Sequence, residues 1–215
     1  MKKIIIYLLL SLLLLTACTN KTDEVVEETK VEENNGEEIM NKEDKILVVY
    51  FSRTGEQYRV GVIEKGNTEI LAEIIAEKVN ADLFEVEPLN DTYPMTYNEL
   101  TDVAKKEQNE NARPEYKKGI DVSEYDTIFI GAPCWWGDWP MIMYTFFENE
   151  DLSGKTLIPF NTHEGSGLSG FDRKLQSACK DSAVKEGLAI RGEDCQNNKN
   201  DVSNKVDNWL RDLGY

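Results

Sequence analysis

Short apolar runs rich in β-branched residues alternate with helical segments through most of the chain, and this alternation restricts the fold more than any other feature. The runs at residues 46–51 (ILVVYF) and 127–130 (TIFI) contain no charged side chain, as expected of strands that are buried on both faces of a sheet. Residues 68–79 place their apolar side chains at helical spacing. The pattern therefore predicts an α/β fold with a parallel sheet and helices on both of its faces.

The complete pattern contains five strands and five helices in residues 46–215. The predicted strands are residues 46–51, 82–87, 127–130, 155–161 and 183–190, and the predicted helices are residues 68–79, 97–110, 141–148, 171–179 and 200–213. Two long stretches, residues 50–66 and 90–126, depart from this simple plan.

The N-terminal segment has the pattern of an exported lipoprotein. Two lysines precede an apolar run at residues 4–15, which is shorter than the roughly 20 residues needed to cross a bilayer but typical of a signal peptide. The run ends in LTAC at residues 15–18, which resembles a bacterial lipobox. We expect residues 1–17 to be a signal peptide and Cys18 to carry a lipid that anchors the protein outside the cytoplasm. An uncleaved N-terminal helix is the alternative.

Residues 18–45 are rich in acids and poor in apolar side chains, so we expect a solvated tether, with a short acidic helix as the alternative.

The whole chain carries a net charge of −16. This charge argues against nucleic acid as a partner and favours cationic ones. A single histidine and the lack of a Cys-x-x-Cys motif argue against a typical zinc site.

Ligands of open α/β sheets bind at the carboxyl ends of the strands, and the segment after the first predicted strand has the composition of an anion site. SRTG at residues 52–55 follows that strand, and GNT at residues 66–68 begins the next helix. Hydroxyls, glycines and a helix N-terminus together can bind a phosphate. Ordinary helix capping by Asn67 or Thr68 explains the same residues equally well.

Two further loops follow the third and fourth predicted strands. GAPCWWGDWP at residues 131–140 contains three tryptophans, which we expect to be difficult to bury and able to stack on a planar ligand. An interface with a partner protein or a hydrophobic lid is the alternative. NTHEGSG at residues 161–167 is rich in hydrogen-bond donors, although it could be a plain glycine-rich connection.

These three segments, in this order, resemble the flavodoxin family. The similarity covers essentially all of residues 46–215 and includes FSRTG with GNT, YDTIFIGAPCWW at residues 125–136, and LSGKT leading to FNTHEGSG at residues 160–167. The resemblance implies a doubly wound five-stranded parallel sheet of order 2-1-3-4-5 and noncovalently bound FMN. The chain departs from short flavodoxins by an insertion at residues 56–66 and by a long segment at residues 90–113.

The resemblance also implies which residues hold the cofactor. Ser52, Arg53, Thr54, Asn67 and Thr68 would bind the phosphate; Pro133, Cys134, Trp135, Trp136 and Gly137 would line the isoalloxazine, with Trp135 or Trp136 stacked on it; and Thr162, His163, Glu164, Gly165, Ser166 and Gly167 would close the other side. His163 is either a hydrogen-bond donor to the flavin or its substrate, or a solvated loop histidine.

The sequence therefore predicts a flavin redox protein that exchanges electrons with a partner protein or a small-molecule acceptor, its oligomeric state being open. An FMN-dependent NAD(P)H:quinone-type oxidoreductase is one alternative, and a surface binding module that has lost the flavin is another. Cys179 and Cys195 could form a disulfide, because an exported compartment permits one. Two unlinked thiols are the alternative, and Cys134 is expected to stay free.

Overall fold

The fold comes from a computed structural model that describes residues 45–215. The predicted signal peptide, Cys18 and nearly all of the tether lie outside the described residues. Within the described part of the chain, no helix is long and apolar enough to cross a membrane.

The chain between Lys45 and the C-terminus follows the predicted alternation closely, with additions. The strands are β1 (Ile46–Tyr50), β2 (Gly55–Gln57), β3 (Gly61–Ile63), β4 (Asp82–Glu85), β5 (Thr127–Pro133), β6 (Thr156–His163), β7 (Ala183–Val184) and β8 (Leu188–Arg191), and the helices are α1 (Asn67–Val79), α2 (Tyr97–Glu110), α3 (Met141–Asn149), α4 (Phe171–Ala178), α5 (Gly192–Asn197) and α6 (Lys199–Leu213). A single 3₁₀ turn covers Val122–Glu124.

The main sheet is parallel, and its strands run in the order β4-β1-β5-β6, with β7 and β8 both paired to the outer edge of β6. This arrangement confirms the predicted order 2-1-3-4-5. The last predicted strand, residues 183–190, is divided into β7 and β8. Near this break Gly187 packs so closely that a Cβ there would lie 2.9 Å from the carbonyl oxygen of Pro159. The short helix α5, which follows β8, was not predicted from the sequence.

Two separate hydrophobic cores cover the two faces of the sheet. Alternation along β1 sends Leu47 and Val49 into one core and Val48 into the other. The first core is completed by α3 and α4, and the second by α1 and α6. Burial on both faces explains why the central strands have continuous apolar sequences.

The two cysteines that the sequence suggested as a disulfide belong to different cores. Cys179 packs into the first core and Cys195 into the second, so the sheet lies between them, and both are free thiols. The predicted disulfide is therefore wrong. Burial raises the pKa of Cys179 to about 11 and that of Cys195 to about 12, which keeps both side chains protonated and unreactive at neutral pH.

The insertion after β1 folds into an antiparallel hairpin, β2–β3, in which Gly55 pairs with Ile63. Its ends return to the turn that joins β1 to α1. There Ser52 Oγ accepts a hydrogen bond from the Glu69 amide at 3.1 Å, and a Cβ on Gly66 would lie only 2.0 Å from the same oxygen. The β1–α1 turn is therefore tightly closed although the insertion interrupts it.

Candidate functional site

A cavity of about 250 Å³ opens at the carboxyl ends of β5 and β6, the edge at which the sequence analysis placed a ligand. We call it the aromatic cavity. It is lined by Gln57, Tyr58, Asn67, Tyr97, Leu100, Thr101, Ala104, Pro133, Cys134, Trp135, Trp136, Thr162, His163, Glu164 and Gly192.

The two tryptophans of this cavity have different supports. Trp135 is half-buried and packs edge-on against Phe51 and Tyr93, with ring centroids 5.4 and 5.5 Å apart. Trp136 is 54% exposed and has a left-handed backbone, with φ at 52°. Its indole Nε1 donates to the carbonyl oxygen of Thr101 in α2 at 2.9 Å. Trp135 is therefore anchored in the core, whereas Trp136 is held from the outside by a helix.

The third tryptophan of the loop is not part of the cavity. Trp139 is 1% exposed and packs against Phe171 at a centroid distance of 4.0 Å, while its Nε1 donates to the Phe171 carbonyl oxygen at 3.2 Å. The expectation that all three tryptophans would be hard to bury is wrong for this one, because α4 offers both a ring and an acceptor.

His163 and Glu164 end β6 at the cavity wall. His163 Nδ1 accepts a hydrogen bond from the Gly165 amide at 2.9 Å, so in the neutral imidazole the proton lies on Nε2. Burial, together with the positive charge of Arg191, lowers the pKa of His163. His163 is therefore a neutral side chain with one free donor at neutral pH.

Glu164 has one satisfied and one unsatisfied carboxylate oxygen. Oε1 accepts from the Glu193 amide at 2.8 Å, whereas Oε2 is buried with no hydrogen-bond partner among the described residues. Burial raises the pKa of Glu164. A buried acceptor of this kind is costly unless a ligand or water donates to it.

The N-terminus of α1 forms the opposite end of the cavity. Asn67 and Thr68 are its first two residues, and their amides lie beyond the reach of any carbonyl within the helix. The Thr68 and Thr162 hydroxyls share a hydrogen bond of 2.7 Å, and Asn67 Oδ1 accepts from Gln196 Nε2 at 2.8 Å. The side chains are thus engaged by protein groups, and the backbone amides remain available for an anion.

The second wall of the cavity comes from the two insertions, and the sequence analysis missed it. The hairpin supplies Gln57 and Tyr58, and α2 supplies residues 97–104. Tyr58 and Tyr97 lie side by side, with centroids 5.7 Å apart and planes inclined by 31°. Tyrosines in both inserts were the available sequence signal, but nothing local indicated that the two segments meet.

Arg53 and Thr54 do not line the aromatic cavity. Arg53 Nη1 donates to Asp91 Oδ2 at 2.7 Å and Nη2 to the Tyr93 carbonyl oxygen at 3.2 Å. Its two terminal nitrogens are thus engaged, although its buried Nε has no partner among the described residues. Because Arg53 lies outside the aromatic cavity, its predicted role as a ligand of a phosphate bound there is wrong. A second cavity of about 240 Å³, which we call the charged cavity, is lined by Ser52, Arg53, Thr54, Glu69, Glu85, Glu87, Pro88, Asp91 and Lys117.

Four glycine-rich loop residues predicted to touch the ligand lie beside the aromatic cavity rather than on its wall: Gly137, Gly165, Ser166 and Gly167. They support residues that do line it. Ser166 Oγ donates to Cys134 Sγ at 3.3 Å, and the Gly165 amide donates to His163 Nδ1 at 2.9 Å. No group of three or more potential metal ligands was found in the described residues.

Comparison with known proteins agrees with this architecture. The family model described as flavodoxin matches residues 45–210. No curated protein matches the chain. A crystal structure of a protein designated a flavoprotein from Bacteroides eggerthii is 30% identical, with a TM-score of 0.60, and the match covers 77% of this chain and 97% of that one.

Two other solved structures are similar over nearly their whole lengths. A protein designated a flavoprotein from Bacteroides uniformis is 29% identical, with a TM-score of 0.62 and coverage of 77% of this chain and 99% of that one. A flavoprotein from Lactobacillus acidophilus, solved in complex with FMN, is 23% identical, with a TM-score of 0.57 and coverage of 68% and 93%; this last likeness concerns the fold. The family match and the sheet order together show that the chain belongs to the flavodoxin family.

Proposed function

We propose that this protein binds FMN noncovalently in the aromatic cavity and exchanges electrons with a partner at a membrane surface outside the cytoplasm. The observation that carries the proposal is the cavity itself, which joins the N-terminus of α1 to an aromatic wall at the carboxyl edge of the sheet. Membership of the flavodoxin family supports it, as does the FMN complex of the Lactobacillus acidophilus flavoprotein.

The phosphate end of FMN fits the start of α1. The amides of Asn67 and Thr68 would donate to phosphate oxygens, and the helix dipole would favour the negative charge. Gly66 allows the β1–α1 turn to close, since any side chain there would collide with Ser52 Oγ. Arg53 has no part in this end of the site, because Asp91 holds its guanidinium.

The ring end of FMN fits the wall made by Pro133, Cys134 and the two tryptophans. The polar atoms of the cavity that lack a partner among the described residues also match the hydrogen-bonding groups of FMN. His163 Nε2 offers a proton to a ring acceptor, and the buried Glu164 Oε2 lacks a donor, which a ring N–H or a ribityl hydroxyl would supply. A ligand with both acceptors and donors on an aromatic body matches this set.

Bound FMN supplies one- and two-electron redox chemistry, and the protein supplies its environment. Trp135, packed on Phe51 and Tyr93, keeps water from one side of the site. The neutral His163 donates a hydrogen bond without adding a charge. The unpaired Glu164 carboxylate, whose pKa burial raises, disfavours any additional negative charge on the bound group.

The location outside the cytoplasm rests on the lipobox pattern at residues 15–18. A lipid on Cys18 would attach the protein to the membrane, and the acidic tether would hold the flavodoxin domain away from an anionic surface. Cys18→Ala should therefore release the protein from membranes or leave its precursor uncleaved. Unchanged, membrane-bound mature protein would remove this part of the proposal.

FMN binding is tested by titrating FMN and riboflavin separately with the purified full chain. We expect both to be quenched, because an indole beside an isoalloxazine is an efficient electron donor to its excited state. Riboflavin lacks the phosphate, so its affinity should be at least about a hundredfold lower, since charge-assisted hydrogen bonds contribute about 1.5–3 kcal/mol each. Equal affinities would mean that the start of α1 does not bind the phosphate of FMN. No binding of either would favour a nonredox binding module.

A further inference from the structure

The wall of the aromatic cavity that the two insertions build has no assigned ligand. Every group given above to FMN belongs to the sheet edge or to the start of α1, namely residues 67–68, 133–136 and 162–164. The facing wall consists of Gln57, Tyr58, Tyr97, Leu100, Thr101 and Ala104. A surface built by two separate insertions, opposite a site that is already complete, is available for a second molecule.

This insertion wall is held in place by hydrogen bonds between the two insertions. The Glu56 amide donates to the Met95 carbonyl oxygen at 2.8 Å. The Tyr97 amide, at the start of α2, donates to Glu56 Oε2 at 2.9 Å, which places a carboxylate at the positive end of the helix dipole. The rings of Tyr58 and Tyr97, whose planes are inclined by 31°, are thereby presented together as a preformed surface.

The hairpin is also fixed from its other side. Arg59 forms an ion pair with Glu193 at 2.9 Å, and Gln196 Nε2 donates to the Lys65 carbonyl oxygen at 2.8 Å. Both partners belong to α5. Because α5 and α2 hold the hairpin from opposite sides, a ligand can meet this wall without first ordering it.

The chemistry of the insertion wall indicates the class of ligand. It offers aromatic and aliphatic surface, and Tyr58 is 52% exposed, so ring area remains for stacking. None of the residues lining the cavity is Lys or Arg. Two cations near the insertion wall are already engaged, Lys105 above the Trp136 ring at 5.0 Å and Arg59 with Glu193, whereas Arg191 acts on His163 and Glu164 at the sheet edge. A ligand with a diphosphate, such as a nicotinamide dinucleotide, would find no countercharge on the insertion wall itself.

We propose that the insertion wall binds a planar, uncharged molecule with a conjugated ring of the size of a benzoquinone, which stacks on Tyr58 beside the bound flavin. This inference rests on the proposed function only in that FMN occupies the sheet-edge half of the cavity. On this proposal the enlarged loops form a site for a small molecule. A protein electron carrier would instead present an open flavin edge to its partner.

The test is equilibrium binding of duroquinone to the oxidised, FMN-loaded full chain, followed by the flavin absorption spectrum and by tryptophan fluorescence. Duroquinone suits this purpose because every ring carbon carries a substituent, so the Cys134 thiol cannot add to it. We expect saturable binding. In Tyr58→Ala the dissociation constant for duroquinone should rise about tenfold, whereas Tyr58→Phe should keep the parent value.

Tyr215→Ala is the matched control, because Tyr215 is similarly exposed (46%) and packs against Phe129, with its hydroxyl near Thr127 at the opposite edge of the sheet. It should leave duroquinone binding unchanged. The FMN affinity of all variants is measured first, since loss of FMN from the parent protein would count against the proposed function and not against the second site.

With FMN bound, three results would overturn the inference. The first is duroquinone binding that does not saturate, and the second is saturable binding that is equal in the parent and Tyr58→Ala proteins. The third is competition by NADH at similar concentrations, which would mean that the cavity accepts a dinucleotide. An unchanged duroquinone affinity in Tyr58→Ala together with weakened binding of a reduced protein donor would assign the wall to a protein partner.

Discussion

The aromatic cavity and the charged cavity lie on either side of the β1–α1 turn and have nearly the same volume, about 250 and 240 Å³. Their polar groups are used differently. In the charged cavity, Arg53 is paired with Asp91 and Lys117 with Glu87. Each cavity also has one buried polar atom without a hydrogen-bond partner among the described residues, Arg53 Nε in the charged cavity and Glu164 Oε2 in the aromatic cavity, but only the aromatic cavity is lined by tryptophan and tyrosine rings.

This difference shows that size alone does not distinguish a binding site from a crevice. Charged side chains that satisfy each other leave little for a ligand to gain and would have to be separated to admit one. Aromatic surface with a few unsatisfied polar atoms gains from both burial and hydrogen bonding when a ligand enters. The aromatic cavity is therefore the ligand site of the two, and four sets of substitutions test this assignment.

The largest effect is expected at Gly66, which stands between the cavities. In Gly66→Val the new Cβ would lie 2.0 Å from Ser52 Oγ and 3.0 Å from the Arg53 carbonyl oxygen. The β1–α1 turn would have to open and displace the amides of Asn67 and Thr68. We expect FMN affinity to fall at least about a hundredfold (about 2.7 kcal/mol), measured by fluorescence titration.

Ser52→Gly removes the colliding hydroxyl, so the double variant should recover part of the FMN affinity. If Gly66→Val binds FMN as tightly as the parent protein, the start of α1 is not the phosphate site.

The two tryptophans of the aromatic cavity should separate stability from binding. Trp135→Ala removes a ring that packs on Phe51 and Tyr93, and we expect the free energy of unfolding to fall by about 2–3 kcal/mol. Trp136→Ala removes a ring that is mostly exposed, so stability should change by less than about 1 kcal/mol. Denaturant unfolding of the apoproteins measures both values. Equal losses of stability would contradict the difference in packing between Trp135 and Trp136.

Arg53→Ala examines the charged cavity. Its side chain is 8% exposed, and removing it leaves Asp91 without its cation. We expect the free energy of unfolding to fall by about 1–2 kcal/mol, whereas FMN affinity should stay within about threefold of the parent value. A large loss of FMN affinity with stability preserved would restore Arg53 as a phosphate ligand.

The smallest effect concerns Glu85 in the charged cavity. Burial and the neighbouring carboxylates of Glu87 and Glu69 raise the pKa of Glu85. Its folded pKa thus lies above the unfolded value, so the stability it contributes below pH 4.5 is lost as the pH rises through the raised pKa. Glu85→Gln should then be more stable than the parent at pH 7, by less than about 1 kcal/mol because the group is half-exposed and screened.

That difference should shrink towards zero as the pH falls below 4.5, where Glu85 becomes protonated in both states. Thermal unfolding across pH 4–8 measures it, with the exposed Glu77→Gln as the control. A constant difference at every pH would mean that packing, rather than charge, separates the two proteins.

The main strands and helices were predictable, because buried parallel strands need continuous apolar runs and amphipathic helices need a periodic stripe, whereas the strand order came from the resemblance to the flavodoxin family. The carboxyl-edge residues Cys134, Trp135, Trp136 and His163 followed from that topology. Arg53 was misassigned because its partner, Asp91, lies 38 residues away. No local pattern encodes such a pairing.

Two other errors have a similar origin. The sequence separation of Cys179 and Cys195 carries no information about which face of the sheet each side chain enters. The insertion wall was missed because Glu56, Tyr58 and Tyr97 acquire their arrangement from contacts between two insertions, and neither insertion shows it alone.

The β2–β3 hairpin enters and leaves the domain at neighbouring positions, since Gly55 pairs with Ile63 and the chain then reaches Gly66 at the start of α1. In evolutionary terms, such a segment can be gained, lost or exchanged without altering the sheet register or either core. The part of the insertion wall that the hairpin supplies is consequently free to diversify, while the half of the cavity beside α1 is tied to the turn at Ser52. Relatives with the same sheet can therefore differ in what they accept through this segment.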